Sequence, residues 1–165
     1  MLKLPLGTAK TRIRSGLKKL GVAVAVLALA ALVWVERDQR AARARGDRAL
    51  AMVTSSDAER LRLDAASGVS AASHGNYRRR AGVPLVVLTL SNLDPPPAAR
   101  RYVAWALAGG RTIALGAATR DADGKALLIA EDPALAQPPE AVWVTVEVAG
   151  DAPAPRGSTV LSWHR

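Results

Sequence analysis

Sixteen consecutive uncharged residues, Leu20–Val35 (LGVAVAVLALAALVWV), constrain this chain more than any other feature. Every face of a helix built from them would be apolar and charge crowds both ends, which excludes a core helix with one wet face. At 1.5 Å per residue the run spans about 24 Å, short of a ~30 Å hydrocarbon layer. Lys18 and Lys19 can snorkel, so Gly16 and Leu17 join the span. Trp34 stands at the C-terminal edge, where an indole prefers the membrane interface. The run therefore reads as a single transmembrane α-helix over 20–35.

A signal peptide shares this layout of basic start and apolar stretch. The triplet Ala28–Leu29–Ala30 lies inside the run, however, and Ala42–Arg43–Ala44 lies in an arginine-rich stretch poorly suited to cleavage. The reading is an uncleaved anchor; the alternative is a secreted or periplasmic β-sandwich binding module released by cleavage. Six Lys or Arg precede the helix and five follow it closely. The α-amine and the Lys18–Lys19 pair tip the orientation toward a cytoplasmic N-terminus and an extracytoplasmic C-terminal domain at the cell membrane.

The net charge of +9 suggests nucleic acid until it is mapped. Residues 1–19 hold six bases and no acid, and residues 36–48 hold five arginines against three acids. Residues 49–165 carry 12 bases and 11 acids, so the domain is near neutral and lacks the footprint a phosphate backbone requires. The partner implied by the charge map is a lipid bilayer, through the helix 20–35, and not nucleic acid.

Residues 1–19 form a basic tail and 36–57 a juxtamembrane helix or spacer with a solvated surface. From residue 58 to 165 the period changes to that of strands. Ala58–Leu63 alternates weakly, and Val83–Leu90 is β-branched and continuous. Tyr102–Ala108, the Gly109–Gly110 turn and Thr112–Thr119 form a hairpin pattern. Asp121–Gly124 turns the chain into Lys125–Ala130; Ala141–Val148 and Ser158–Trp163 follow. Val142, Val144, Val146 and Val148 share one face, and Trp143, Thr145 and Glu147 the other. Seven or eight short strands with turns at this spacing predict a mainly β fold, an antiparallel β-sandwich preceded by the one N-terminal transmembrane helix.

Chemistry-bearing residues are sparse. The chain has no cysteine and no phenylalanine, which removes thiolate nucleophiles, disulfides and thiolate metal sites. His74 falls in a Ser/Gly-rich stretch and His164 beside the terminus, neither at ligand spacing. No G-x-S-x-G elbow is present. Asp121-x-Asp123-Gly124 reads as a turn, since Lys125 takes the next oxygen position of a calcium loop. Glu131 and Glu140 sit in or next to loops with nothing to make them a catalytic pair. Arg78–Arg80 can touch anionic headgroups, but a solvated strand edge is the more ordinary reading. Trp105 and Trp143 read as core or sheet-face residues. No catalytic, cofactor-binding or metal residue is expected, and no enzyme.

Leu93-Asp-Pro-Pro-Pro-Ala-Ala-Arg-Arg-Tyr-Val-Ala-Trp-Ala-Leu107 resembles the L-P-x-L-P-x-G-x-x-Y-Q-L-W-L stretch of the C-terminal domain of anti-sigma-K-type factors. The Gly109–Gly110 hairpin, Leu115-Gly116 leading into Thr119-Arg-Asp-Ala-Asp-Gly124, and Val144-Thr-Val-Glu-Val-Ala-Gly-Asp-Ala-Pro-Ala-Pro155 follow in the family's order. Departures are Val103 for Gln, Val148 for Pro and Arg156–Gly157 for the Pro–Thr step. The resemblance covers roughly 85–161. It implies a membrane-anchored regulatory or sensor module in sigma-factor-linked transcription control, with a sigma/anti-sigma system or a membrane protease as protein partner. The 19 residues before the helix are too few to build the family's sigma-binding domain, so direct inhibition by this stretch is not expected.

Overall fold

The computed structural model describes residues 39–40, 43–44, 46–52, 54–150 and 153–165. The basic tail 1–19 and the span Leu20–Val35 lie outside them, and among the described residues no helix is long and apolar enough to cross a membrane. Met1–Ala44 and Arg45–Arg165 are separate compact units. In the first, residues 39–40 and 43–44 are helical.

The second unit carries eight strands: β1 Glu59–Ala65, β2 His74–Arg79, β3 Leu85–Ser91, β4 Arg100–Ala108, β5 Arg111–Ala118, β6 Ala126–Glu131, β7 Pro139–Val148 and β8 Ser158–His164. All pairings are antiparallel, in the order β5-β4-β7-β8-β1-β2-β3-β6. The expected sandwich of two sheets is instead one continuous sheet. The reason lies in the β1–β8 ladder, which holds only Asp64↔Ser162 and Ala65↔Leu161. Two four-stranded layers, β5-β4-β7-β8 and β1-β2-β3-β6, are thus stitched at one corner. At the other corner β5 and β6 run alongside each other without a ladder. The sheet is nearly closed there, with Arg111 and Asp132 3.7 Å apart across the gap.

The interior shows how a chain without phenylalanine fills a core. Leu63, Tyr77, Val86, Leu88, Leu90 and Leu128 from one layer share a cluster with Tyr102, Ala104, Ala106, Ala108, Val142, Val144 and Leu161 from the other. Leucines and valines interdigitate with a row of alanines, so large meets small and the layers approach closely. Leu135, in the 3-10 turn Pro133–Ala136, is fully buried in the same cluster.

β3 is buried on both faces. Its second face, Leu85 and Val87, packs against Ala49 and Met52 of the helical segment 46–52, and Arg48 reaches Glu131 Oε1 at 2.8 Å. Burying a Met side chain contributes about 1.5–3 kcal/mol and an exposed ion pair at most ~1, so the apolar contact holds the segment. The stretch read as a solvated spacer therefore has one face packed on the sheet.

The unforeseen strand is β2, HGNYRR. Its inward positions are Gly75, Tyr77 and Arg79, and only one of these is a large apolar residue. Gly75 suits a tight space, since a Cβ there would stand 3.1 Å from Leu90 Cδ2 and 3.3 Å from Leu63 Cβ and press both leucines aside. β2 lies between β1 and β3, so Arg78–Arg79 is not on a sheet edge as the sequence reading had it. Arg79 turns inward, pairs with Glu59 Oε2 at 2.6 Å and donates to Ala136 O at 3.3 Å. The Tyr77 hydroxyl is buried with no hydrogen-bond partner among the described residues, and burial pushes its pKa up. A buried hydroxyl without a partner costs about 1–3 kcal/mol of desolvation. Tyr77→Phe is accordingly expected to leave stability unchanged or raise it by about 1 kcal/mol in urea unfolding. A loss beyond that would mean the hydroxyl is satisfied.

Candidate functional site

Three segments far apart in sequence are tied together at three junctions, and they are the segments that carry the family resemblance. Leu93 is the first anchor. It is buried, its N–H donates to Gly124 O at 2.9 Å, and its carbonyl accepts from Arg120 Nε at 3.1 Å. Asp121 shapes the partner turn, its Oδ1 accepting from Asp123 N at 3.0 Å and Lys125 N at 2.8 Å. Gly124 has φ +74°, and a Cβ on it would stand 2.9 Å from Leu93 O, so the turn and the Leu93 strap fit only around glycine. The carboxylate spacing that faintly suggested a calcium loop is engaged in closing this turn.

The second junction ties the proline loop to the end of β7. Tyr102 Oη donates to Asp94 O at 3.0 Å, and burial raises the phenol's pKa. Ala149 N donates to Ala99 O at 2.9 Å, and Arg101 donates to Gly150 O. Ala99 takes φ +57°, a left-handed conformation uncommon for a residue with a Cβ, at the position the quoted family pattern fills with glycine.

The third junction is a buried polar relay on the outward face of β4 and β7. Trp105 Nε1 donates to Thr145 Oγ1 at 2.8 Å, and Thr145 Oγ1 donates to Glu147 Oε1 at 2.6 Å. The same carboxylate oxygen accepts from Arg156 N at 3.0 Å and Gly157 N at 2.9 Å. Trp105, Thr145 and Glu147 are 1 %, 1 % and 5 % exposed, so the face that Thr145 and Glu147 share is covered. Burial raises the Glu147 pKa, but the Thr145 hydroxyl, the two amides and the Arg100 charge outweigh it and hold the carboxyl below its ordinary value. A charged acceptor with three donors fixes the chain just before β8.

The remaining candidates serve the fold. His74 Nδ1 is 2.9 Å from Ala72 O, and His164 is exposed at the end of β8. Glu131 accepts from Arg48, whereas Glu140 Oε1 accepts from Gly110 N at 3.1 Å. Trp105 belongs to the relay and Trp143 is half-buried beside it in the β4–β7 ladder. Among the described residues no group of three His, Asp or Glu side chains gathers as metal ligands. What the arrangement does is tie the loop 92–99 to the turn 119–125 and to residues 149–150, and fix residues 156–157 on β7.

Trp105→Phe and Thr145→Val should each cost about 1–2 kcal/mol, and less together than the sum, because either change breaks the same bond. A urea double-mutant cycle reads the difference; strict additivity contradicts the relay. The lowered Glu147 pKa sets a sign for acid unfolding. Its contribution is complete above the unfolded carboxylate range near 4.3 and is lost as pH falls through the lower folded value. Stability measured from pH 6 down to about 3 should fall less steeply in Glu147→Gln than in the parent chain.

No curated protein and no solved structure is matched by this chain. The family described as anti-sigma-K factor rskA, C-terminal, matches residues 20–160, which take in the apolar run, the strands β1 to β7 and the three junctions. The departures at Val103, Val148 and Arg156–Gly157 leave the junctions intact, since Arg156 and Gly157 contribute backbone amides to Glu147. The chain belongs to the family of anti-sigma-K factor rskA C-terminal domains.

Proposed function

We propose that this chain is a membrane-anchored regulator of the anti-sigma-factor type, with its N-terminus cytoplasmic and its β domain outside the cell membrane as a sensor or partner module. The observation that carries the reading is the extent of the family match. It begins at residue 20 and runs from the apolar segment through the β domain, so the two are parts of one family unit. The charge distribution supports it, because the bases flank the apolar run and leave the domain near neutral. The loops tied together by Leu93, Tyr102 and Glu147 would supply the surface for a protein of a sigma/anti-sigma system or for a membrane protease.

Cell fractionation with intact mass measurement tests the anchor. The reading expects the full-length mass in the carbonate-washed membrane fraction and digestion of the β domain by protease added from outside. A soluble form beginning near residue 31 or 45 would instead establish the secreted binding module. Crosslinking in membranes should recover a sigma factor, its regulator or a membrane protease, and loss of the chain should change transcripts of one sigma-dependent set. Unchanged transcripts would contradict the regulatory reading.

A further inference from the structure

We propose that the outward face of β1 and β2 docks on the anionic phospholipid headgroups of the bilayer that anchors the chain; the inference rests on the anchored reading above. Leu61, Leu63, Tyr77 and Arg79 point inward, which turns Arg60, Arg62 and Arg78 to the outer face. The ladder sets Arg60 directly opposite Arg78. Like charges set opposite each other on one face gain from an anion laid across them. Arg80 continues the row just past β2.

Two acids sit nearby, Asp64 at 3.0 Å from Arg62 and Asp57 at 2.7 Å from Arg80, yet all four side chains are more than half exposed. Exposed ion pairs of this kind are weak and exchange readily for a phosphate. Place in the fold decides which anion the face meets. Arg78 pairs with Val87, and Val87 lies under Ala49 and Met52 of the segment 46–52. The basic face thus adjoins the segment through which the domain is tethered. The eleven residues Glu36–Gly46 reach at most about 40 Å in any conformation. Leu50, on the same segment, is 65 % exposed and adds an apolar side chain open to solvent.

The chain lacks cysteine, so Asn76→Cys, on the same outward face, carries a single fluorophore on the full-length protein. The protein is placed in nanodiscs of phosphatidylcholine alone or mixed with phosphatidylglycerol, each bearing a headgroup quencher. Docking predicts stronger quenching in the anionic discs, lost in high salt. Each Arg→Gln change at 60, 62 and 78 should lower the docked-to-undocked ratio about fivefold, and Arg→Lys should keep it. Equal quenching in both discs overturns the proposal, as does protection by an added acidic polypeptide in preference to anionic discs. The anchor is read separately. A chain that stays with neutral discs in high salt but shows no lipid-dependent quenching sinks only the docking; a chain that leaves neutral discs sinks the anchored reading itself.

Discussion

One carboxylate oxygen, Glu147 Oε1, holds together what the rest of this domain arranges. Three donors converge on it, the Thr145 hydroxyl and the amides of Arg156 and Gly157. Burial alone would make such a charge costly, but three hydrogen bonds to the ionised form reverse the sign. Through Thr145 the carboxylate also orients the indole of Trp105, forty residues earlier. Residues 156–157, just before β8, are therefore held by a buried charge.

That clamp requires a sheet that can bring β4 and β7 into register from Arg100 to Leu107, and the alanine row of β4 permits it. Ala104, Ala106 and Ala108 present almost no bulk inward, so the leucines of the opposite layer fill the space and the layers close. On the outward side the same strand carries Val103 and Trp105, both buried. Small inside and large outside is an inversion of the usual strand, and it places the bulky indole where the relay needs it.

Much of this was legible in the residues. β3 and β7 follow from β-branched runs bounded by glycine and proline, and the Gly109–Gly110 turn joins β4 to β5 as its composition predicts. β2 was not legible, because Gly75 and Arg79 face inward for reasons only their neighbours supply, a tight contact with Leu90 and an ion pair to Glu59. Thr145 and Glu147 read only as sharing one face of an alternating strand with Trp143. The signal that marked them was their place in the family pattern V-T-x-E, whose polar residues the structure shows bonded to each other. Nor did composition reveal that Ala49 and Met52, three residues apart on one helical face, lie on β3. The stitched sheet, in place of two separate ones, depends on a two-pair ladder that no local pattern encodes.

The central claim is that the chain before β8 is locked to β7 by Glu147. Native-state hydrogen exchange of the Arg156 and Gly157 amides tests it most directly, with the Trp105 indole N–H followed in the same spectra. Both amides precede a strand in an otherwise irregular stretch, where exchange is ordinarily fast. The account predicts protection close to that of the β4–β7 ladder for all three protons. Exchange of the two amides at unprotected rates, with the sheet still protected, would contradict it.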